Sequence, residues 1–233
     1  MGTTLPPVDL SAIEAILFDL DGTLVKTDNR WARLMGQRLT FLRRLSPRLD
    51  SDRLGRDLVM ALEGPSNYAV STAERLGLEG VIRGLADRVR RSKGVAVRGA
   101  SVLVEGTREL LASLDGRYRL AVVTTRARPE ALSFLAQQGL ERYFSVVVTR
   151  QDVWRMKPHP APVRRAAQLL QVEPSCCLMV GDTTMDVRAA RRAGAVAVGV
   201  LSGFAMRDEL QRAGAHLILD NAADLLALLP PKG

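Results

Sequence analysis

Residues 13–24 read IEAILFDLDGTL. The first six form a short apolar run that stops at Asp19, the pattern of a buried strand opening into a loop. Similar runs recur at 119–124 (RLAVVT), 145–149 (SVVVT), 176–180 (CCLMV), 195–200 (AVAVGV) and 216–219 (HLIL). Helical patterns lie between the later runs. Residues 129–138 open with Pro129 and stop at Gly139. Residues 160–171 open with Pro160 and place Val163, Ala166, Ala167 and Leu170 on one face. Residues 184–193 end at Gly194. Proline in the first turn and glycine just past the last is the asymmetry that helix ends favour. Strands alternating with helices of this length imply right-handed βαβ units: an α/β three-layer sandwich with a central parallel sheet.

The first strand breaks this rhythm, because about a hundred residues separate it from the second. Within them, Trp31, Leu34, Met35, Leu39, Leu42 and Leu45 fall at three- and four-residue spacings, the stripe of one helix. Leu54, Leu58, Val59 and Leu62 mark another. Residues 65–76, closed by Gly77, are a third, and Leu78, Val81, Ile82, Leu85 and Val89 make a fourth that ends near Gly94. The spacing predicts an all-helical domain at 25–98, inserted into a core made of 1–24 and 99–233. Residues 105–115 return to the core as a helix.

Four segments at strand ends carry the candidate chemistry, on the edge of a parallel sheet where ligands bind. In FDLDGTL, Asp19 and Asp21 leave a strand two residues apart and face one side. One can attack an electrophile while the other handles protons, or offers its backbone carbonyl to a metal. Gly22 permits a sharp turn. A bare DxD reads as an Asx turn with solvated acids; the whole DLDGTL string after an apolar strand points to chemistry. In AVVTTR, Thr124 either donates to a phosphoryl oxygen or merely closes its strand. In MKPHP, Lys157 either neutralises charge in a site or sits on the surface. In VGDTTMD, Asp182 follows a strand and Asp186 lies four residues on. That pair suits a hard cation, and one of them can equally cap the helix that follows.

Composition narrows the classes. The chain has 233 residues, 47% of them hydrophobic and 25% charged. No apolar run approaches the roughly 18 residues that span a membrane, so no membrane partner is expected. The leader MGTTLPPVDLSA has no basic region followed by an apolar stretch, and Pro6 stands where a myristoylation motif wants Ser or Thr. Residues 1–11 read as a loose leader. The only cysteines, Cys176 and Cys177, are adjacent and poorly placed to bridge. A cytoplasmic protein is expected, as a monomer or homodimer. The formal net charge is +8, and residues 30–56 hold eight arginines against Asp50 and Asp52. Such a stretch forms a solvated helical face or draws in anions. It lacks aromatic interleaving and any zinc-finger or RNA-binding signature, which argues against nucleic acid as a partner.

In this order, the four segments resemble the four motifs of the haloacid dehalogenase superfamily, over about 13–24 and 100–225. The insert resembles that family's helical cap of the first type, as in its phosphoglycolate phosphatase-like and β-phosphoglucomutase-like members, by location and helicity. The resemblance implies a Rossmann-like core and a magnesium-dependent phosphatase acting on a small phosphorylated metabolite. It implies that Asp19 is the nucleophile, forming an aspartyl-phosphate, and that Asp21 protonates the leaving oxygen and then activates water. Gly22, Thr124 and Thr125 would bind the phosphoryl group. Lys157 would offset negative charge there. Asp19, Asp182 and the Asp21 carbonyl would ligate Mg2+, supported by Asp186. The family's dehalogenases lack an acid at the position of Asp21, so Asp21 favours phosphate esters. A phosphomutase using the same aspartyl-phosphate, and a catalytically idle binding protein on this fold, are the alternatives. The chain departs from the phosphoglycolate phosphatase-like pattern at Lys26, where an acid is usual, and at Thr125, where Asn is frequent; Arg126 follows. His159 is placed for the rim of the site or for no role in it. Trp31, Arg30 and Arg33 are placed to pack or face solvent, or to line a substrate pocket.

Overall fold

The computed structural model describes residues 9–26 and 102–230. The four helical stripes expected between residues 31 and 94, with Arg30, Trp31 and Arg33, lie outside the described residues.

Six strands form one parallel sheet: β1 (Ala15–Phe18), β2 (Arg119–Val123), β3 (Val146–Val148), β4 (Cys177–Gly181), β5 (Val196–Val200) and β6 (Leu217–Leu219). Their order across the sheet is β3-β2-β1-β4-β5-β6. Every apolar run named from the sequence is a strand. Five helices of the core connect them: α1 (Thr107–Leu114), α2 (Arg128–Gln138), α3 (Ala161–Leu170), α4 (Thr184–Ala193) and α5 (Arg207–Ala213). The first four match the expected helices within two residues or so. The fifth carries no apolar periodicity in RDELQRA and was absent from the sequence pattern.

The period of two along each strand sorts side chains onto two faces. Ile16 and Phe18 of β1, with Leu178 and Val180 of β4, pack beneath Leu110, Leu111 and Leu114 of α1 and Phe134 and Leu135 of α2. Ala15 and Leu17, with Cys177 and Met179, meet Val163, Ala166 and Ala167 of α3 and Val187, Ala189 and Ala190 of α4. The alanines on the second face let α3 and α4 approach the sheet closely. All four residues of β1 are fully buried, as befits a central strand covered on both sides. The fold is thus the expected Rossmann-like three-layer sandwich.

The order places β1 between β2 and β4, so the connections after β1 and after β3 run to opposite sides of it. This is the switch point of the sheet, where a crevice opens beyond the carboxyl ends. Phe18 pairs with Val122 on one side and Val180 on the other. That register sets Asp19 level with Val123 and Gly181, the last residues of β2 and β4.

At the border of the insert, Val25 bridges antiparallel to Leu103. The Lys26 N–H donates to the Val102 carbonyl at 2.8 Å, and the Val104 N–H to the Leu24 carbonyl at 2.9 Å. The outgoing and returning chains therefore run side by side. The expected division at 25–98 falls mostly outside the described residues, but Val25 itself is buried in the core.

Candidate active site

Asp19 is the first residue past β1, and its N–H donates to the Val180 carbonyl at 2.9 Å. This bond fixes the backbone, so the carboxylate projects into the crevice. Lys157 arrives from the loop between β3 and α3. Its ammonium sits 2.8 Å from Asp19 Oδ1 and 2.5 Å from Asp186 Oδ1, and donates to the Val123 carbonyl at 3.1 Å. All three donor positions of the lysine are thereby used. Lys157, Asp19 and Asp186 are each buried, so this lysine is no surface residue. Burial alone would lower its pKa, but Asp186 and Asp19 hold it above the ordinary lysine range.

Asp182 follows β4 and is nearly inaccessible. Its Oδ2 accepts from the Phe204 N–H at 2.8 Å, while its Oδ1 is buried with no hydrogen-bond partner. Two glycines make room for it. A Cβ on Gly22, whose φ is +80°, would lie 2.1 Å from Asp182 Oδ2, and one on Gly203 would lie 2.0 Å from it. Ser202 adds a clasp, its hydroxyl donating to the Gly22 carbonyl at 2.7 Å. The loop after β5 thus closes over the Asp19–Gly22 turn. Sequence reasoning missed it; the glycine in SGF just past a strand was the available signal.

The helix cap sorts the two acids of the fourth segment. Thr183, not Asp182, is the N-cap of α4: the Thr183 N–H donates to Asp186 Oδ2 at 3.1 Å, and the Asp186 N–H to Thr183 Oγ1 at 3.3 Å. This capping box spends one oxygen of Asp186 on the helix and leaves the other on Lys157. Asp182 is left for the crevice.

One carboxylate oxygen each from Asp19, Asp182 and Asp186 lie within 4.8 Å of one another. Burial pushes the Asp19 carboxyl up to about 7, Lys157 opposing the shift and Asp186 and Asp21 adding to it. Burial, then Asp19 and Asp186, raise Asp182 well above the usual carboxylate range. Three carboxylates facing one ammonium leave a negative excess in a low-dielectric site. An all-oxygen donor set of this kind fits a hard divalent cation, and the orphaned Asp182 Oδ1 gives it a ready ligand.

Thr124, the first residue past β2, is fully buried, with its N–H on the Val148 carbonyl at 2.9 Å. Its Oγ1 accepts from the Arg126 N–H at 3.2 Å, which leaves the hydroxyl proton to donate elsewhere. Thr125 is half-buried beside it, and its carbonyl accepts from Arg150. Asp21 is half-buried, and both of its oxygens are held by Arg126, at 2.7 and 2.5 Å. The Gly22 N–H is committed to the Val25 carbonyl at 2.7 Å, so this glycine shapes the turn and shelters Asp182. His159 Nδ1 accepts from the Ala161 N–H at 3.2 Å at the start of α3. Arg126 was noted in the sequence only as a departure, since nothing local joins it to Asp21.

Known proteins resemble this chain in sequence and in fold. Residues 16–200 match the model of the haloacid dehalogenase-like hydrolase family. The chain is 32% identical over 218 residues to pyrophosphatase PpaX of Bacillus cereus (strain Q1), covering 93% of this chain and 96% of that protein. Among solved structures it resembles a "predicted phosphoglycolate phosphatase" of Haemophilus somnus 129pt, at TM-score 0.64 and 24% identity, covering 93% of this chain and 98% of the other. It also resembles β-phosphoglucomutase of Clostridium difficile, at TM-score 0.62 and 20% identity, covering 91% and 93%; both likenesses concern the fold. Among the described residues no helix is long and apolar enough to cross a membrane. This chain belongs to the haloacid dehalogenase-like hydrolases.

Proposed function

We propose that the chain is a Mg2+-dependent phosphatase that hydrolyses a small phosphorylated metabolite, of the phosphoglycolate, sugar-phosphate or pyrophosphate type, through an aspartyl-phosphate on Asp19. The observation that carries this reading is the buried cluster in which Lys157 bridges Asp19 and Asp186, beside Asp182. A carboxylate nucleophile must approach an anionic phosphate, so the site has to neutralise charge before any bond forms. Asp19, Asp182 and the Asp21 carbonyl would hold the magnesium ion, with Asp186 in support. The bound cation would supply charge neutralisation and polarise the phosphoryl group.

The protein's own groups divide the remaining work. An Asp19 oxygen attacks phosphorus as the bond to the leaving oxygen breaks, and Asp21 delivers a proton to that oxygen. Lys157 holds Asp19 oriented, and the Thr124 hydroxyl donates to a phosphoryl oxygen. In the second half, Asp21 takes a proton from water, which attacks phosphorus. The bond to Asp19 breaks and inorganic phosphate leaves. The test is turnover of p-nitrophenyl phosphate with and without magnesium. Hydrolysis that stops on exhaustive chelation and returns with Mg2+ is expected; full activity after chelation refutes the metal role.

A further inference from the structure

Asp21, which the proposed reaction uses twice, is gripped. Arg126 Nε donates to Asp21 Oδ2 at 2.7 Å and Nη2 to Oδ1 at 2.5 Å. A fork-to-fork pair of this kind is planar and strongly directional. The guanidinium lies 5.0 Å from the centre of the Phe134 ring, a cation–π contact that holds its plane. It makes no further hydrogen bond among the described residues, so Nη1 is uncommitted there. The pair is open to a ligand, with side-chain exposures of 22% for Arg126 and 43% for Asp21. Arg126 is also tied to the phosphoryl-binding side of the crevice, through its N–H on Thr124 Oγ1.

These contacts set up a conflict. A carboxylate held at both oxygens keeps only the lone pairs turned away from the fork, so Arg126 rather than a leaving oxygen or a water sets the orientation of Asp21. Turning Asp21 toward a leaving oxygen or a water opens the fork, and a second anion restores to the guanidinium the charge-matched pairing it loses. Resting on the phosphatase reading above, we propose that Arg126 is a specificity-determining residue that exchanges Asp21 for a second anionic group on the substrate. That group is a carboxylate or phosphate carried by the leaving group, and the exchange frees Asp21 to act. A substrate with a neutral leaving group leaves the fork closed. The second anion therefore raises kcat as well as lowering KM, which an ordinary binding contact does not do.

The test is steady-state kinetics, with magnesium present, of ethyl phosphate, 2-phosphoglycolate and pyrophosphate on the full chain and on its Arg126→Gln and Arg126→Lys variants. Differences in intrinsic reactivity cancel when the ratio of an anionic to the neutral substrate is compared between proteins. Arg126→Gln is expected to lower that ratio at least about tenfold in kcat/KM, with part of the loss in kcat. Arg126→Lys keeps the charge but not the fork, and should lower the ratio less, in the same direction. An equal loss for all three substrates, or a change confined to KM, overturns the proposal. Should Arg126→Gln lose its cooperative thermal transition, the ratio for Arg126→Lys decides by the same criterion. A wild-type chain that turns over none of these and no aryl phosphate refutes the phosphatase reading; one that turns over all three with ratios untouched by either variant refutes only the exchange.

Discussion

At the scale of single residues, the site is governed by charge burial. Lys157 serves two carboxylates at once, both inaccessible, and removing it would strand them. Lys157→Met is therefore expected to destabilise the fold by about 3–5 kcal/mol, the range for breaking a buried ion pair from one side. Urea unfolding in the presence of chelator measures this, and added magnesium should restore part of the loss. Asp19→Asn removes the nucleophile at nearly constant volume. Turnover should vanish while circular dichroism stays that of wild type; wild-type turnover by this variant would take Asp19 out of the nucleophile's place. Asp21→Asn should slow hydrolysis by roughly 10²–10⁴-fold, the scale of general acid–base catalysis. The positions of these acids were legible from the sequence, because Asp19, Asp21 and Asp182 are fixed by the strand ends that precede them. The grip of Arg126 on Asp21 was not, since its partners stand 105 positions apart.

At the scale of elements, the loops after β1 and β5 interlock, and glycine is what allows it. A Cβ at Gly203 would strike Asp182 at 2.0 Å, which only a backbone shift relieves. Gly203→Ala is expected to cost about 1–3 kcal/mol, the scale of overpacking, and to weaken magnesium binding in isothermal titration; unchanged binding would remove this loop from the site's construction. A second element-level effect lies at the edge of the sheet. His216 Nδ1 accepts from the Ala197 N–H at 2.8 Å, and the Arg191 guanidinium lies against its Nε2. Burial, then Arg191, lower its pKa. The folded chain therefore takes up this proton at lower pH than the unfolded chain. The stability contributed by neutral His216 is present above about pH 6.5, the unfolded value, and is lost as pH falls from there through the folded value. Thermal melts from pH 7.5 to 5 should show this loss, and His216→Gln should remove that part of the slope. The helix α5 shows why some elements escape a sequence reading. Of its residues only Glu209 and Leu210 are buried, so no stripe repeats. It is held by Leu210 under Gly199 and by the Met206 N–H on Glu209 Oε2 at 2.9 Å.

At the scale of the whole molecule, the core is interrupted at one place, where Lys26 and Val102 are hydrogen-bonded neighbours. Replacing 27–101 by a Gly/Ser linker of about four to six residues, a length such closely spaced ends permit, should leave a core that unfolds cooperatively and binds magnesium. A core without a cooperative transition would make the insert part of the folding unit. The sequence by itself determined the strands, the ends of four helices and the acids at the strand ends. These follow from apolar period, from proline and glycine backbone preference and from burial on both faces, all of which act within about ten residues. Only the tertiary structure decided which loops meet. The order β3-β2-β1-β4-β5-β6 brings Lys157 onto Asp19 across 138 positions and Ser202 onto Gly22 across 180. Such contacts are set by how the two helical layers pack on the sheet, and no local pattern encodes that packing.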